Sequence, residues 1–147
     1  MIPINDIIED MEMIEDLHDR YHYLIELGKK LPLFPKEYMT DQNIVAGCMS
    51  KLWMVIEWEN KGDQDPIMIF YAVSDSQIVC GLLYIVKSIY AHKKISEILK
   101  MDSLTILQHL GLTENLSQKR SWSGLYTIVN KIQDLTQEYL NVHIKER

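Results

Sequence analysis

The sequence predicts an α+β protein in which several helices pack against a small antiparallel sheet. Apolar residues recur at helical spacing near both ends of the chain, and two short β-branched and aromatic runs flank a polar turn between them. A strongly apolar segment with a helix-start pattern follows the second run. Because 147 residues, 47% of them hydrophobic, can bury a core without disulfide bonds or structural metals, we expect one domain over residues 1–147.

The N-terminal segment is predicted to be helical from Ile7 to Leu27, as one long helix or as two nearly collinear helices. Asn5 is the expected N-cap, and Gly28 is the expected stop. Residues 29–43 hold two prolines and an Asp-Gln-Asn cluster, which indicate an ordered loop.

The middle of the chain predicts a hairpin followed by a buried helix. Residues 51–58 and 67–73 are the expected strands, with a polar connection between them. Ser74 and Gln77 form a capping-box pattern at the start of the buried helix. Two short helices are expected within residues 94–102 and 103–111, and the segment 117–140 is expected to contain one long C-terminal helix that carries Leu125, Ile128, Val129, Ile132 and Leu135.

Charge and apolar patterning exclude several classes of protein. A net charge of −6 and a pI near 5.3 disfavour binding to nucleic acid or to anionic lipid. The acidic start lacks the basic and apolar regions of a leader peptide, and no apolar run is long enough to span a membrane. We therefore expect a cytoplasmic protein.

The two cysteines, Cys48 and Cys80, stand in different contexts. Cys80 is expected in the middle of a helix, as a small apolar filler. Cys48 follows Gly47 at the end of the loop and precedes a strand, which is typical of a presented thiol. Two cysteines without a C-x-x-C motif supply neither a disulfide framework nor enough ligands for a zinc site or an iron–sulfur cluster.

Other chemical sites are weakly supported by the sequence. No protease-like histidine motif flanks the thiol, so a cysteine hydrolase is disfavoured. His18 and His22 have i, i+4 spacing but fit a solvated acidic helix face, and no metal is predicted. Arg120 is expected just before the last helix, where it could bind an acidic partner or steady a thiolate. The chain has neither a cofactor-lysine site nor a phosphate-cradling loop, and no cofactor is expected.

Four blocks of sequence carry a family resemblance. In order, they are YHYLIELGKKLPLFPKEY, NIVAGCMSKLW, SDSQIVCGLL and LTENLSQKRSWSGL. Together they resemble the SufE family of sulfur acceptors, including its paralogue CsdE, over roughly residues 15–140.

The resemblance implies a fold shared with IscU-type scaffolds and a role beside a PLP-dependent cysteine desulfurase of the SufS or CsdA kind. The family's persulfide-accepting cysteine corresponds to Cys48, and Gly47, Met49 and Ser50 form its supporting loop. Asp75 and Arg120 correspond to family positions that are candidates for partner binding. PLP belongs to the desulfurase, and sulfur would pass to a Suf scaffold for iron–sulfur cluster assembly or, in a CsdE-like role, toward tRNA thiolation.

Transfer of sulfur requires a thiolate that reaches a partner yet stays shielded between encounters. We expect Gly47 to act as a hinge, while Ile44, Val45 and Met49 pack the loop against apolar surface. Two alternatives stay open: a regulator of the desulfurase that carries no sulfur, with Cys48 structural, and a cluster scaffold, which two cysteines leave short of ligands.

Overall fold

The fold consists of a two-stranded antiparallel hairpin with helices on its inner face. It is known from a computed structural model, which describes residues 1–46, 50–60, 62, 65–109 and 119–143. The elements are α1 (Ile4–Met13), α2 (Leu17–Gly28), β1 (Leu52–Glu59), β2 (Ile67–Ser74), α3 (Gln77–Tyr90), α4 (Ile95–Leu99), α5 (Ser103–His109) and α6 (Lys119–His143). The predicted α+β class is confirmed.

The hairpin matches the predicted strands to within one residue at each end. Its register runs from Leu52 opposite Ser74 to Glu59 opposite Ile67. Side chains alternate between the two faces of a strand, so every second residue of β1 and β2 points inward. On β2 the inward residues Met68, Phe70 and Ala72 are buried in the core.

Helix α3 is the centre of the core, as its apolar sequence predicts. Its residues 81–86 and 88–90 are buried, between β2 on one side and α2 on the other. The α2 and α3 backbones approach so closely that a Cβ atom on Gly81 would lie 2.1 Å from the carbonyl oxygen of Leu24. Glycine at this position therefore permits the contact between the two helices.

The N-terminal helical segment consists of two helices, which is the second of the two predicted alternatives, but the first helix begins earlier than predicted. It is divided into α1 and α2 because the side chain of Asp16 accepts a hydrogen bond from the backbone N–H of His18 at 2.7 Å and caps a new helix. The prediction of Asn5 as N-cap is wrong. Helix α1 already begins at Ile4, and Pro3, whose backbone is extended, is its N-cap.

In the loop before β1, residues Lys36–Tyr38 and Asp41–Asn43 form two short 3₁₀ helices. The loop is therefore ordered, as expected.

Within the described ranges, no helix combines the length and the apolar character that a membrane crossing requires.

Candidate functional site

The candidate site is the connection that leads into β1 and carries Cys48. Cys48, Gly47 and Met49 lie outside the described residues, so their roles stay predictions. On either side of them, Ala46 is exposed and Ser50 is half-buried. The described geometry therefore concerns how the two ends of this connection are held.

The N-terminal end of the connection is held by β1. The backbone N–H of Val45 donates to the carbonyl oxygen of Leu52 at 2.9 Å, and Ile44 forms an antiparallel bridge with Trp53. The side chain of Val45 is 6% exposed, so it belongs to the core, and Ile44 is half-buried. Ile44 and Val45 thus pack onto the protein, as the loop hypothesis requires of them.

The C-terminal end is held by the turn between β2 and α3. The carbonyl oxygen of Lys51 accepts hydrogen bonds from the backbone N–H of Asp75 at 3.2 Å and from the hydroxyl of Ser74 at 2.7 Å. The same hydroxyl oxygen accepts from the N–H of Ser76 at 3.1 Å. Ser74 is only 9% exposed, so these bonds are largely shielded from water.

This network corrects the predicted cap of α3. The N-cap is Ser76, whose hydroxyl accepts from the backbone N–H of Val79 at 3.4 Å, and not Ser74. Ser74 is the last residue of β2, and its hydroxyl is engaged with Lys51. Because the sequence places serines at both positions, the pattern alone could not separate a cap from a tertiary contact.

Cys80 lies beside this network. It is the fourth residue of α3 and therefore sits in its first turn, which corrects its predicted mid-helix place. The side chain is half-buried, and its Sγ donates to the carbonyl oxygen of Ser74 at 3.3 Å. Cys80 thus packs at the end of the hairpin where the Cys48 connection is anchored, and it remains partly accessible.

The two charged candidates have different surroundings. Asp75 is exposed at the turn before α3, where a carboxylate is open to a partner. Arg120 is the second residue of α6, so its expected place before that helix is wrong, and its side chain lies outside the described part of the chain.

No metal centre accompanies these residues in the described part of the chain. There, no group of three or more histidine, cysteine, aspartate or glutamate side chains is placed to hold an ion. His18 and His22 are both exposed on α2, which fits the solvated helix face inferred from their spacing.

A groove at the opposite end of β1 was not anticipated from the sequence. There, the ring of Tyr139 stacks on Trp58, with ring centroids 5.1 Å apart, and His143 stacks on Tyr139 at 4.3 Å. The i, i+4 spacing of Tyr139 and His143 on the last helix is the signal that could have indicated a shared face.

Comparisons with known proteins agree with the fold and with the sequence blocks. Residues 5–136 match the model of the SufE family, described as an Fe-S metabolism associated domain. An uncharacterised SufE-like protein of Rhizobium etli is 43% identical over 135 residues, which are 91% of this chain and 89% of the relative. The cysteine desulfuration protein SufE of Wigglesworthia glossinidia brevipalpis is 34% identical over 113 residues, 77% of this chain and 76% of that protein.

A solved structure shares the fold. The solution structure of a hypothetical protein from Thermus thermophilus superposes with a TM-score of 0.68, over 96% of this chain and 99% of that one. Its sequence is 16% identical, so this likeness concerns the fold alone.

Proposed function

Because the chain belongs to the SufE family, we propose that it accepts sulfur on Cys48 from a PLP-dependent cysteine desulfurase of the SufS or CsdA kind. It then passes this sulfur on for iron–sulfur cluster assembly, with a Suf scaffold as the downstream acceptor. In this proposal the chain stimulates the desulfurase by removing its product sulfur and is a relay, not a self-sufficient enzyme.

The observation that carries the proposal is the family match over residues 5–136, which includes the block around Cys48. The described geometry supports it. Hydrogen bonds fix the chain at Val45 and at Lys51, one before and one after the cysteine. A connection whose two ends are fixed presents its middle to the same partner site at each encounter.

The transfer step needs no external oxidant or reductant. The Cys48 thiolate attacks the outer sulfur of the desulfurase persulfide, so a new S–S bond forms on Cys48 while the S–S bond of the desulfurase breaks. The electron pair of the broken bond stays with the desulfurase sulfur, which leaves as a thiolate. The sulfane sulfur and its oxidation state move together from one protein to the other.

Cofactor chemistry is assigned to the partner in this proposal. PLP resides on the desulfurase, and this chain contributes only the thiol and the surface around it. Gly47, Met49 and Ser50 support the thiol, while Asp75 and Arg120 contribute to partner binding.

The experiment measures alanine release by a SufS-type desulfurase, with free cysteine and dithiothreitol, while this protein is titrated. The wild type should raise the turnover rate, and Cys48→Ser should remove the increase while still binding the desulfurase. Cys80→Ser is the matched control, since it removes the other thiol of the chain, and it should retain the increase. Full stimulation by Cys48→Ser would show that the chain regulates the desulfurase without carrying sulfur.

A further inference from the structure

The outer edge of β1 has backbone groups that meet no partner in the described part of the chain. Because Val45 donates to the carbonyl of Leu52, the backbone groups of Leu52 point away from β2. Strand alternation then places those of Ile56 and Trp58 on the same outer edge. None of the described hydrogen bonds outside the helices and the sheet involves the backbone of Ile56 or Trp58.

The opposite strand confirms this orientation independently. Ile56 is opposite Phe70, and in such a pair both residues point their backbone groups outward or both inward. The carbonyl oxygen of Phe70 accepts from Nζ of Lys87 at 2.8 Å. The backbone of Met68, which is opposite Trp58, bonds to Lys93 and His92 and not to β1. Both pairs therefore point outward, and the N–H and C=O groups of Ile56 and Trp58 line the free edge.

Among the residues that the structure describes, only the segment around Ile44 covers this edge, and it covers only the first part. Ile44 pairs with Trp53, but the residues just before it, Asp41–Asn43, turn into a 3₁₀ helix instead of continuing along β1. Beyond this point, no described segment pairs with the outer edge of β1, which leaves room there for an added strand.

An apolar groove runs beside the open edge, between β1 and the end of α6. We call it the edge groove. Its volume is about 310 Å³, and it is lined by Ile56, Trp58, Leu135, Glu138, Tyr139, Val142 and His143. Val142 is 52% exposed at its mouth, and the stacked rings of Trp58 and Tyr139 form its wall.

The charged side chains near the open edge of β1 indicate what kind of segment could bind there. Glu57 and Glu59 are exposed on the opposite face of β1, and Glu138 is exposed at the groove itself. A second copy of β1 would bring glutamates against glutamates, which is unfavourable between neighbouring strands. A basic strand would meet complementary charge instead.

We propose that the free edge of β1 and the edge groove bind an extended segment of a partner protein, which adds as a strand beside Ile56 and Trp58. Every second side chain of the segment is apolar and enters the edge groove, and the alternate side chains are basic and lie near Glu57 and Glu59. This surface involves no residue of the Cys48 connection, so it goes beyond the proposed sulfur transfer and does not rest on it.

The binding test titrates a fluorescein-labelled hexapeptide of alternating lysine and leucine into the full chain and follows fluorescence anisotropy. Saturable binding is expected, and Val142→Asp should weaken it about tenfold or more, since a carboxylate at the mouth of the edge groove opposes entry of leucine. Met13→Asp is the control, because Met13 is 82% exposed on α1 and should leave binding unchanged. Both positions are exposed, so both variants should fold.

Two altered peptides separate strand addition from simple charge attraction. N-methylation of every second residue removes backbone donors and should abolish binding if the peptide pairs with the edge. Replacement of every lysine by glutamate should also abolish it. Equal binding of the N-methylated peptide, or of Val142→Asp, would overturn the proposal.

Amide hydrogen exchange then tests the position. With bound peptide, the amides of Ile56 and Trp58 should exchange about tenfold more slowly, while those of Val55 and Glu57, which already face β2, should not change. If the peptide does not slow exchange at Ile56 and Trp58 while leaving Val55 and Glu57 unchanged, strand addition at this edge is wrong. So does a peptide-free chain that sediments as a dimer and protects the same amides, because it would identify a second copy as the occupant.

Discussion

Replacement of Ser74 by alanine tests whether the end of the hairpin is locked where the Cys48 connection enters β1. The hydroxyl of Ser74 donates to Lys51 at 2.7 Å and accepts from Ser76 at 3.1 Å, and the residue is 9% exposed. Ser74→Ala removes both hydrogen bonds. The carbonyl of Lys51 keeps its bond from the N–H of Asp75.

The expected loss follows from the number of bonds. A shielded hydrogen bond contributes about 1 kcal/mol net, so two bonds predict that the free energy of unfolding falls by about 2 kcal/mol. Urea unfolding followed by circular dichroism measures this change. Amide exchange measures the local effect, and the amide of Asp75 should exchange faster in the variant because its acceptor is less firmly held.

Ser88→Ala is the matched control. Ser88 is 8% exposed, but its hydroxyl donates to the carbonyl of Tyr84 one turn earlier in the same helix. Alanine there should cost about 0.5 kcal/mol or less, since the helix retains its backbone bonds. If both variants lost the same free energy, or if Ser74→Ala lost none, the claim that Ser74 locks this junction would be wrong.

Two further perturbations test the close contact between α2 and α3 and the hydrogen bonds between Ser96 and Asp65. Gly81→Ala should lower the free energy of unfolding by about 3 kcal/mol or more, because the new Cβ would lie 2.1 Å from the Leu24 carbonyl oxygen. Gly62→Ala is the control: Gly62 has φ 93° and open space around it, so alanine there should cost about 1 kcal/mol. Urea unfolding measures both changes. The hydroxyl and the backbone N–H of Ser96 hold the pKa of Asp65 below its ordinary value. A carboxyl whose pKa is lower in the folded state stabilises the fold above its unfolded pKa, and this contribution is lost as the pH falls through its folded pKa. Thermal unfolding of Asp65→Asn should therefore depend less on pH, as the pH falls below about 4, than that of the wild type. An equal acid sensitivity of the two proteins would contradict this role of Asp65.

The spacing of apolar residues was sufficient to predict the elements that have buried faces. The hairpin was predicted to within one residue because β-branched and aromatic side chains alternate on strands with one buried face. Helix α3 was predicted because its apolar run is buried on most sides.

Local caps and tertiary contacts were not predictable in the same way. Ile14 continues the apolar spacing of α1. The position of the break between α1 and α2, where Asp16 caps the second helix, therefore cannot be recognised from the apolar pattern. Ser74 and Ser76 both suit an N-cap, and only the position of Lys51 in the fold decides between them. The stack of Tyr139 on Trp58 joins residues far apart in the chain, which periodicity cannot bring together.

The sulfur-accepting role was predicted from resemblance. The thiol context of Cys48 favoured a presented cysteine, but the partner and the chemistry came from the four sequence blocks. The family match confirms the family, while the role of Cys48 itself stays a proposal.

Peptide mass spectrometry can show whether Cys48 carries sulfur. The protein is mixed with a SufS-type desulfurase and free cysteine without reductant, then alkylated and digested. The peptide containing Cys48 should gain the mass of one sulfur atom only when desulfurase and cysteine are both present, and the peptide containing Cys80 should not gain it. A Cys48 peptide that stays unmodified while the desulfurase turns over faster would show that Cys48 carries no sulfur and would identify the chain as a regulator.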